Sequence, residues 1–157
     1  MATVLRLNIV NTLPIFVRDV LRQNLIDTQS PARDGTEWVF KGSTEKEFDP
    51  PIVFIGEVRN AEKTFNTNKS KRHAPELIMI IRVWADKLAD RDSLVNQISN
   101  ILTDYTKTDG INSINSQQLT INAISSRNTD ALSTSAEEPT KIKRVGEMTI
   151  NWVYSGA

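Results

Sequence analysis

The sequence has no cysteine, so this chain of 157 residues can form neither a disulfide nor a thiolate metal site. It also lacks the glycine-rich phosphate-loop and dinucleotide-binding motifs. No run of 18 apolar residues occurs, and so no membrane span is expected. The nineteen basic and nineteen acidic residues cancel, which argues against nucleic acid as the main partner.

Residues that could carry chemistry are few. His73 is the one histidine, and its polar surroundings favour a solvated side chain over a catalytic triad or a multi-histidine metal site. Asp86, Asp90 and Asp92 are better explained by helix capping than by a metal site, because their spacing lacks the glycine turn of a calcium loop. We therefore expect no enzyme activity, no cofactor and no metal.

The length fits a single domain spanning residues 1–157. Residues 1–10 form an N-terminal arm or an edge strand, and the pattern does not decide between them. Arg6 and Asn8 interrupt the apolar N-terminal stretch, so it does not look like a signal peptide. Synthesis in the cytoplasm is expected.

The strongest pattern covers residues 76–105, a strand that leads into a helix. Alternate apolar residues predict a buried face, formed by Leu77, Met79, Ile81 and Val83. The other register is partly apolar and ends in Arg82 and Trp84, which favours a central strand with one open, amphipathic face. The following apolar stripe predicts a helix over residues 92–107, capped by Asp90 or Asp92 and ended by Gly110.

Other segments supply a second helix and further strands. Residues 13–27 have helical spacing, with Asn11 or Thr12 as the cap and Pro14 in the first turn. Strands are predicted at residues 38–40, 52–58, 119–124 and 141–154. Gly56 marks a bulge or a close backbone approach. In the predicted strand at residues 119–124, Leu119, Ile121 and Ala123 share a face. In the strand at residues 141–154, one face holds Met148, Ile150, Trp152 and Tyr154, and the other holds Glu147, Thr149 and Asn151.

These elements predict an α+β fold: a mostly antiparallel sheet of four to five strands, with two helices on one face and two long loops. The loops are residues 60–75 and 127–140, and we expect the first to be mobile until a partner orders it. Its excess of positive charge suggests a partner interface. The candidate interface residues are Arg59, Lys63, Lys69, Lys71 and Arg72 in or beside this loop, with Arg82 and Trp84 on the open face.

Several stretches resemble one known family. The order PPIVFIGEVRN, a polar loop, ELIMIIRVWADK, a helix and two strands ending in RVGEMTINWVYSGA resembles that of tail terminator (tail completion) proteins of long-tailed bacteriophages. The matching positions are Ile55, Gly56 and Glu57 in one strand and Val83 and Trp84 in the next. The resemblance covers roughly residues 13–155.

The resemblance implies a non-enzymatic virion protein of the tail or neck, assembled in the host cytoplasm. It implies a homo-oligomer, a hexameric ring that caps the tail tube protein and joins it to the head connector or stopper protein. It implies no membrane partner, and the nucleic acid would only pass through the ring lumen. Two alternatives stay open: another neck or head-closure protein, and a small nucleic-acid-binding α+β module, which would bind with steep salt dependence.

Overall fold

The computed structural model describes residues 9–42, 49–63, 74–107, 119–128, 131–132 and 142–154. The helices are α1 (Ile9–Asn24) and α2 (Leu88–Lys107), with a short 3-10 turn at Gly35–Glu37. The strands are β1 (Val39–Lys41), β2 (Ile52–Lys63), β3 (Ala74–Ala85), β4 (Leu119–Asn128), β5 (Ala131–Leu132) and β6 (Ile142–Tyr154). Neither described helix is long and apolar enough to cross a membrane.

Five strands form one sheet in the order β1-β2-β3-β6-β4, and the two-residue β5 pairs with the start of β6. Among the strands of the described residues, only β1 and β2 run parallel, and the other pairs are antiparallel. β3 lies in the middle of the sheet. The predicted α+β class and the central position of this strand are therefore confirmed.

Both helices cover the same face of the sheet. α1 packs on β1 and β2, while α2 packs on β3, β6 and β4. The predicted buried face of β3 lies in this core, since Leu77, Met79, Ile81 and Val83 are each at most 2% exposed. Burial of four such side chains contributes roughly 6 to 12 kcal/mol before conformational entropy is counted.

The helix boundaries differ from the sequence prediction. α1 begins at Ile9, so Asn11 and Thr12 lie inside it and Pro14 is in its interior. Pro14 is buried, and burial of its ring in the core offsets the backbone hydrogen bond that proline cannot donate. α2 begins at Leu88, so Asp90 lies in its first turn rather than at the cap. Asp92 lies further along the helix, and Gly110 is outside the described residues.

The two long loops are shorter than predicted. β2 runs to Lys63 and β3 begins at Ala74, so residues 60–63 and 74–75 form ladder pairs instead of a loop. Pairing supplies partners for their backbone groups, which a hydrophobic pattern does not reveal. In the second predicted loop, residues 127–128 belong to β4 and residues 131–132 form β5. The remainder of both loops lies outside the described residues, as do residues 1–8 of the predicted arm; Ile9 and Val10 belong to α1.

Two bulges set which side chains face the helices. The β2–β3 register shifts between Ile55 and Val58, and a Cβ atom on Gly56 would lie 2.8 Å from the carbonyl oxygen of Ile80. The predicted bulge and close approach at Gly56 are both confirmed. In β4 a second shift follows Ile121. Ala123 is therefore exposed, and Ile124 packs against the core, opposite to the predicted alternation.

Candidate interaction surface

The sheet face opposite the helices is the candidate interaction surface, and we call it the open face. The described residues that ladder register places on it include Phe40, Ile52, Phe54, Arg59, Glu76, Ile78, Ile80, Arg82, Trp84, Ala123, Ser125, Arg127, Val145, Glu147, Thr149 and Asn151. In contrast to the buried core face, Ile78, Ile80 and Trp84 are half-buried and Arg82 is exposed. The predicted amphipathic character of this face is therefore present.

Three aromatic rings pack side by side at the β1–β3 end of the open face. The ring centroids of Phe40 and Phe54 are 6.2 Å apart, and those of Phe54 and Trp84 are 5.7 Å apart in an edge-to-face arrangement. This geometry suits the quadrupoles of the rings and holds them in fixed positions. The result is a half-buried aromatic cluster on an amphipathic face.

A carboxylate joins two arginines beside these rings. Glu147 accepts from Arg82 Nε at 3.2 Å and from Arg127 at 2.9 Å, so the ion pairs link β3, β6 and β4. The Glu147 side chain is 12% exposed, whereas those of Arg82 and Arg127 are 50% and 71% exposed. Exposed pairs stabilise a fold little, but they fix where the guanidinium groups lie.

The structure brings together three of the seven predicted interface residues. Arg59, Arg82 and Trp84 share the open face, because Arg59 pairs with Ile78 and the other two lie on β3. Lys63 is the last residue of β2. Lys69, Lys71 and Arg72 lie outside the described residues, as does His73.

The sequence prediction missed the partners of those residues on the neighbouring strands. Phe40 and Phe54 lie in predicted strands for which the sequence indicates no face, and Arg127 lies in a predicted loop. The signal that identifies them is strand register: Phe40 lies opposite Phe54, and Phe54 opposite Arg82. Register requires knowledge of the bulges, which the alternating pattern alone does not give.

A buried ion pair organises the segment between α1 and β1. The Asp27 side chain is 1% exposed and accepts from Arg33 Nε at 2.7 Å. It also accepts from the backbone N–H groups of Gln29 and Arg33 at 3.1 and 2.9 Å. Burial raises the pKa of Asp27, but the hydrogen bonds from Arg33 and Gln29 outweigh it, so the net pKa is lowered.

The same arginine ties this segment to the entry of β2. Arg33 donates to the carbonyl oxygens of Asp49 and Pro51 at 2.8 and 2.7 Å, and its guanidinium lies 5.7 Å from the ring centroid of Trp38. Gln29 Nε2 donates to the carbonyl of Pro50 at 2.8 Å. Arg33 therefore holds in place the start of β2, a strand of the open face.

A capped turn completes the approach to β1. Asp34 accepts from the Thr36 backbone N–H at 2.9 Å, and Glu37 accepts from the Asp34 N–H at 3.0 Å, so the two side chains form a capping box. The hydrogen bonds from Thr36 lower the pKa of Asp34. Gly35 lies against α1, where a Cβ atom would be 2.7 Å from the carbonyl oxygen of Arg22.

Within the described ranges, no three histidine, cysteine, aspartate or glutamate side chains are grouped closely enough to hold a metal ion. The open face places fixed aromatic rings beside guanidinium groups, an arrangement that suits contact with a partner surface. Tryptophan and arginine are the side chains enriched at the centres of protein interfaces.

Comparison with known proteins extends this view of the fold. No protein-family profile matches the sequence, and no curated protein matches it. Among solved structures, the chain is similar to one from the virion of a native gene transfer agent particle, with a TM-score of 0.52 and 14% identity. The match covers 91% of this chain and 95% of that one. At this identity the likeness shows a shared fold.

Proposed function

We propose that the chain is a non-enzymatic structural protein of a phage-like virion, located at the tail or neck. The observation that carries the proposal is the fold shared with a chain of a gene transfer agent virion over nearly the whole length of both chains. The open face, with aromatic and arginine side chains at its centre, supports an assembly role.

Within that class, we propose the role of tail terminator: a hexameric ring that caps the tail tube and presents a joint to the head connector. The motif at Ile55, Gly56 and Glu57 supports this role, as does the long β2–β3 hairpin. That hairpin carries basic residues toward its tip in sequence, including Lys63, Lys69 and Lys71. Basic side chains in this part of the sequence suit contact with an acidic surface of the tube or connector.

A nucleic-acid-binding module is the second candidate, because Arg59, Arg82 and Arg127 share one sheet face. Two observations count against it. The aromatic rings pack against one another, so they offer a base little open ring face. Two of the three arginines are also held by Glu147.

The test uses the purified full chain with purified tail tubes. Negative-stain imaging of the protein alone is expected to show closed rings, and imaging with tubes is expected to show rings seated on tube ends only. A protein that ignores tube ends would contradict the terminator role. Binding to a single-stranded oligonucleotide that falls steeply with salt would favour the nucleic-acid module instead.

A further inference from the structure

Two bulges lie at nearly the same level of the sheet, one on each side of its central pair of strands, β3 and β6. In β2, Gly56 and Glu57 together lie opposite the single residue Ile80 of β3. In β4, Asn122 is the extra residue, beside Asn151 of β6. Asn151 pairs with the β3 residue two positions before Ile80, so the two bulges lie within about 8 Å of each other along the strands.

The hydrophobic core does not explain the extra residues. Ile55 and Val58, which flank the first bulge, are both buried, so a strand without Glu57 would keep the side-chain period of two. Ile121 and Ile124, which flank the second bulge, both pack against the core, so the same holds for β4 without its extra residue. Glu57 itself is exposed. Each outer strand therefore carries one residue more than its alternation of faces requires.

A bulge bends the strand that carries it and increases its twist. The central strands β3 and β6, in contrast, pair without a register shift from Glu76 to Ala85. The β2–β3 ladder continues two pairs beyond the β3–β6 pair at Glu76, as far as Lys63 and Ala74. Both bulges therefore precede the end of the ladder that leads to the basic residues after Lys63 in sequence.

We infer that the two bulges set the direction in which the β2–β3 ladder leaves the sheet. An extra residue in each outer strand, beside two regular central strands, turns this end of the sheet relative to the part that carries Phe54 and Trp84. Glu57 and Asn122 are thus positioning residues, which act through the ladder. The inference rests on the proposed function for what the ladder meets, an acidic surface of the tail tube.

Single-residue deletions in the full chain test the inference. One variant lacks Glu57 and a second lacks Asn122. Both are expected to keep a cooperative melting transition by circular dichroism, because no side chain changes face. The matched control lacks Arg82, which is also exposed but lies in a strand without a bulge of its own. Its loss moves the side chains on one side of the deletion to the opposite face, so this control is expected to unfold.

Distances between spin labels measure the direction of the ladder. The chain has no cysteine, so labels attach only where a cysteine is introduced. Lys63→Cys with Asn100→Cys spans from the end of β2 to an exposed position of α2. Each deletion is expected to change this mean distance by at least about 3 Å, the rise of one strand residue. Lys41→Cys with Asn100→Cys lies on the other side of the bulges, and its distance should not change.

Co-sedimentation with purified tail tubes gives a second readout. Each deletion is expected to weaken tube binding at least about tenfold, whereas Glu57→Gln, which removes the charge and keeps the bulge, should bind like the wild type. Label distances that stay the same in the two deletion variants would overturn the inference. Unfolding of the Glu57 deletion to the same extent as the Arg82 deletion would also overturn it, since the extra residue would then serve the fold.

Failure of the proposed function gives a different result. A wild-type protein that ignores tail tubes would contradict the terminator role, and the label distances would still decide whether the bulges set the direction of the ladder. Tube binding by the wild type together with unchanged label distances would overturn the inference and leave the role standing.

Discussion

Arg33 Nε lies 2.7 Å from Asp27 Oδ2, and the carboxylate that it meets is almost fully buried. The guanidinium also donates to the backbone carbonyls of Asp49 and Pro51, so one side chain joins the segment between α1 and β1 to the entry of β2. Loss of either partner would leave the other side chain largely buried without its hydrogen bonds. Removal of one partner of such a pair is strongly destabilising.

We therefore expect Arg33→Ala to lower the free energy of unfolding by about 3 kcal/mol, because the Asp27 carboxylate would remain buried without its cation. Urea unfolding monitored by tryptophan fluorescence measures the change. Arg18→Ala is the matched control, since Arg18 pairs with Asp19 in a more exposed position. It should cost less than about 1 kcal/mol. Equal effects of the two substitutions would contradict this role for Arg33.

The lowered pKa of Asp27 also predicts a pH dependence. A carboxyl group with a folded-state pKa below its unfolded value contributes stability above the unfolded pKa, and this contribution is lost as the pH falls through the folded pKa. Asp27→Asn should therefore be less stable than the wild type at pH 7, and the gap should narrow below about pH 4. Unfolding free energies measured from pH 7 to pH 3 test this. A gap that stays constant or widens would show that the charge of Asp27 is not stabilising.

Much of the sheet could be predicted because its pattern is local. The alternation from Leu77 to Val83 specifies a strand with one buried face, and its flanking apolar register specifies a central position. The final strand is equally clear, with Met148, Ile150 and Trp152 fully buried. Neither strand carries a bulge of its own, so the side-chain period of two is unbroken along both.

The features of the fold that the sequence did not predict depend on contacts between distant segments. Pro14 lies inside α1 because tertiary packing overrides its local preference for a first turn. The bulge in β4 reverses the faces of Ala123 and Ile124, and the alternation of the sequence does not reveal it. Asp27 and Arg33 occur in a segment that is turn-rich in sequence, where nothing marks the carboxylate as buried.

Ile81 provides the sharpest test of the central strand. Its side chain is fully buried, and it lies between Ile55 on β2 and Met148 on β6. Ile81→Asp would bury a charge without a partner and should cost more than about 4 kcal/mol, a large fraction of the roughly 5 to 15 kcal/mol by which an ordinary domain is stable. Circular dichroism melting should show loss of the cooperative transition. Ser125→Asp, at an exposed position of β4, is the control and should melt near the wild type. An unchanged melting temperature for Ile81→Asp would show that the core is not centred on β3.

The proposed tail-terminator role makes a prediction for the basic residues between β2 and β3. Charge reversal of Lys63, Lys69, Lys71 and Arg72 should weaken binding to tail tubes or connectors at least about tenfold, because complementary charges guide such contacts. None of the four belongs to the hydrophobic pattern of the strands, so the melting temperature should stay close to that of the wild type. Co-sedimentation with purified tubes at two salt concentrations measures the binding.

The matched control compares two double variants that change the net charge by the same amount. One carries Lys69→Glu with Lys71→Glu, and the other carries Lys41→Glu with Lys87→Glu. If both pairs reduce tube binding equally, the effect is one of net charge, and the hairpin is not the contact.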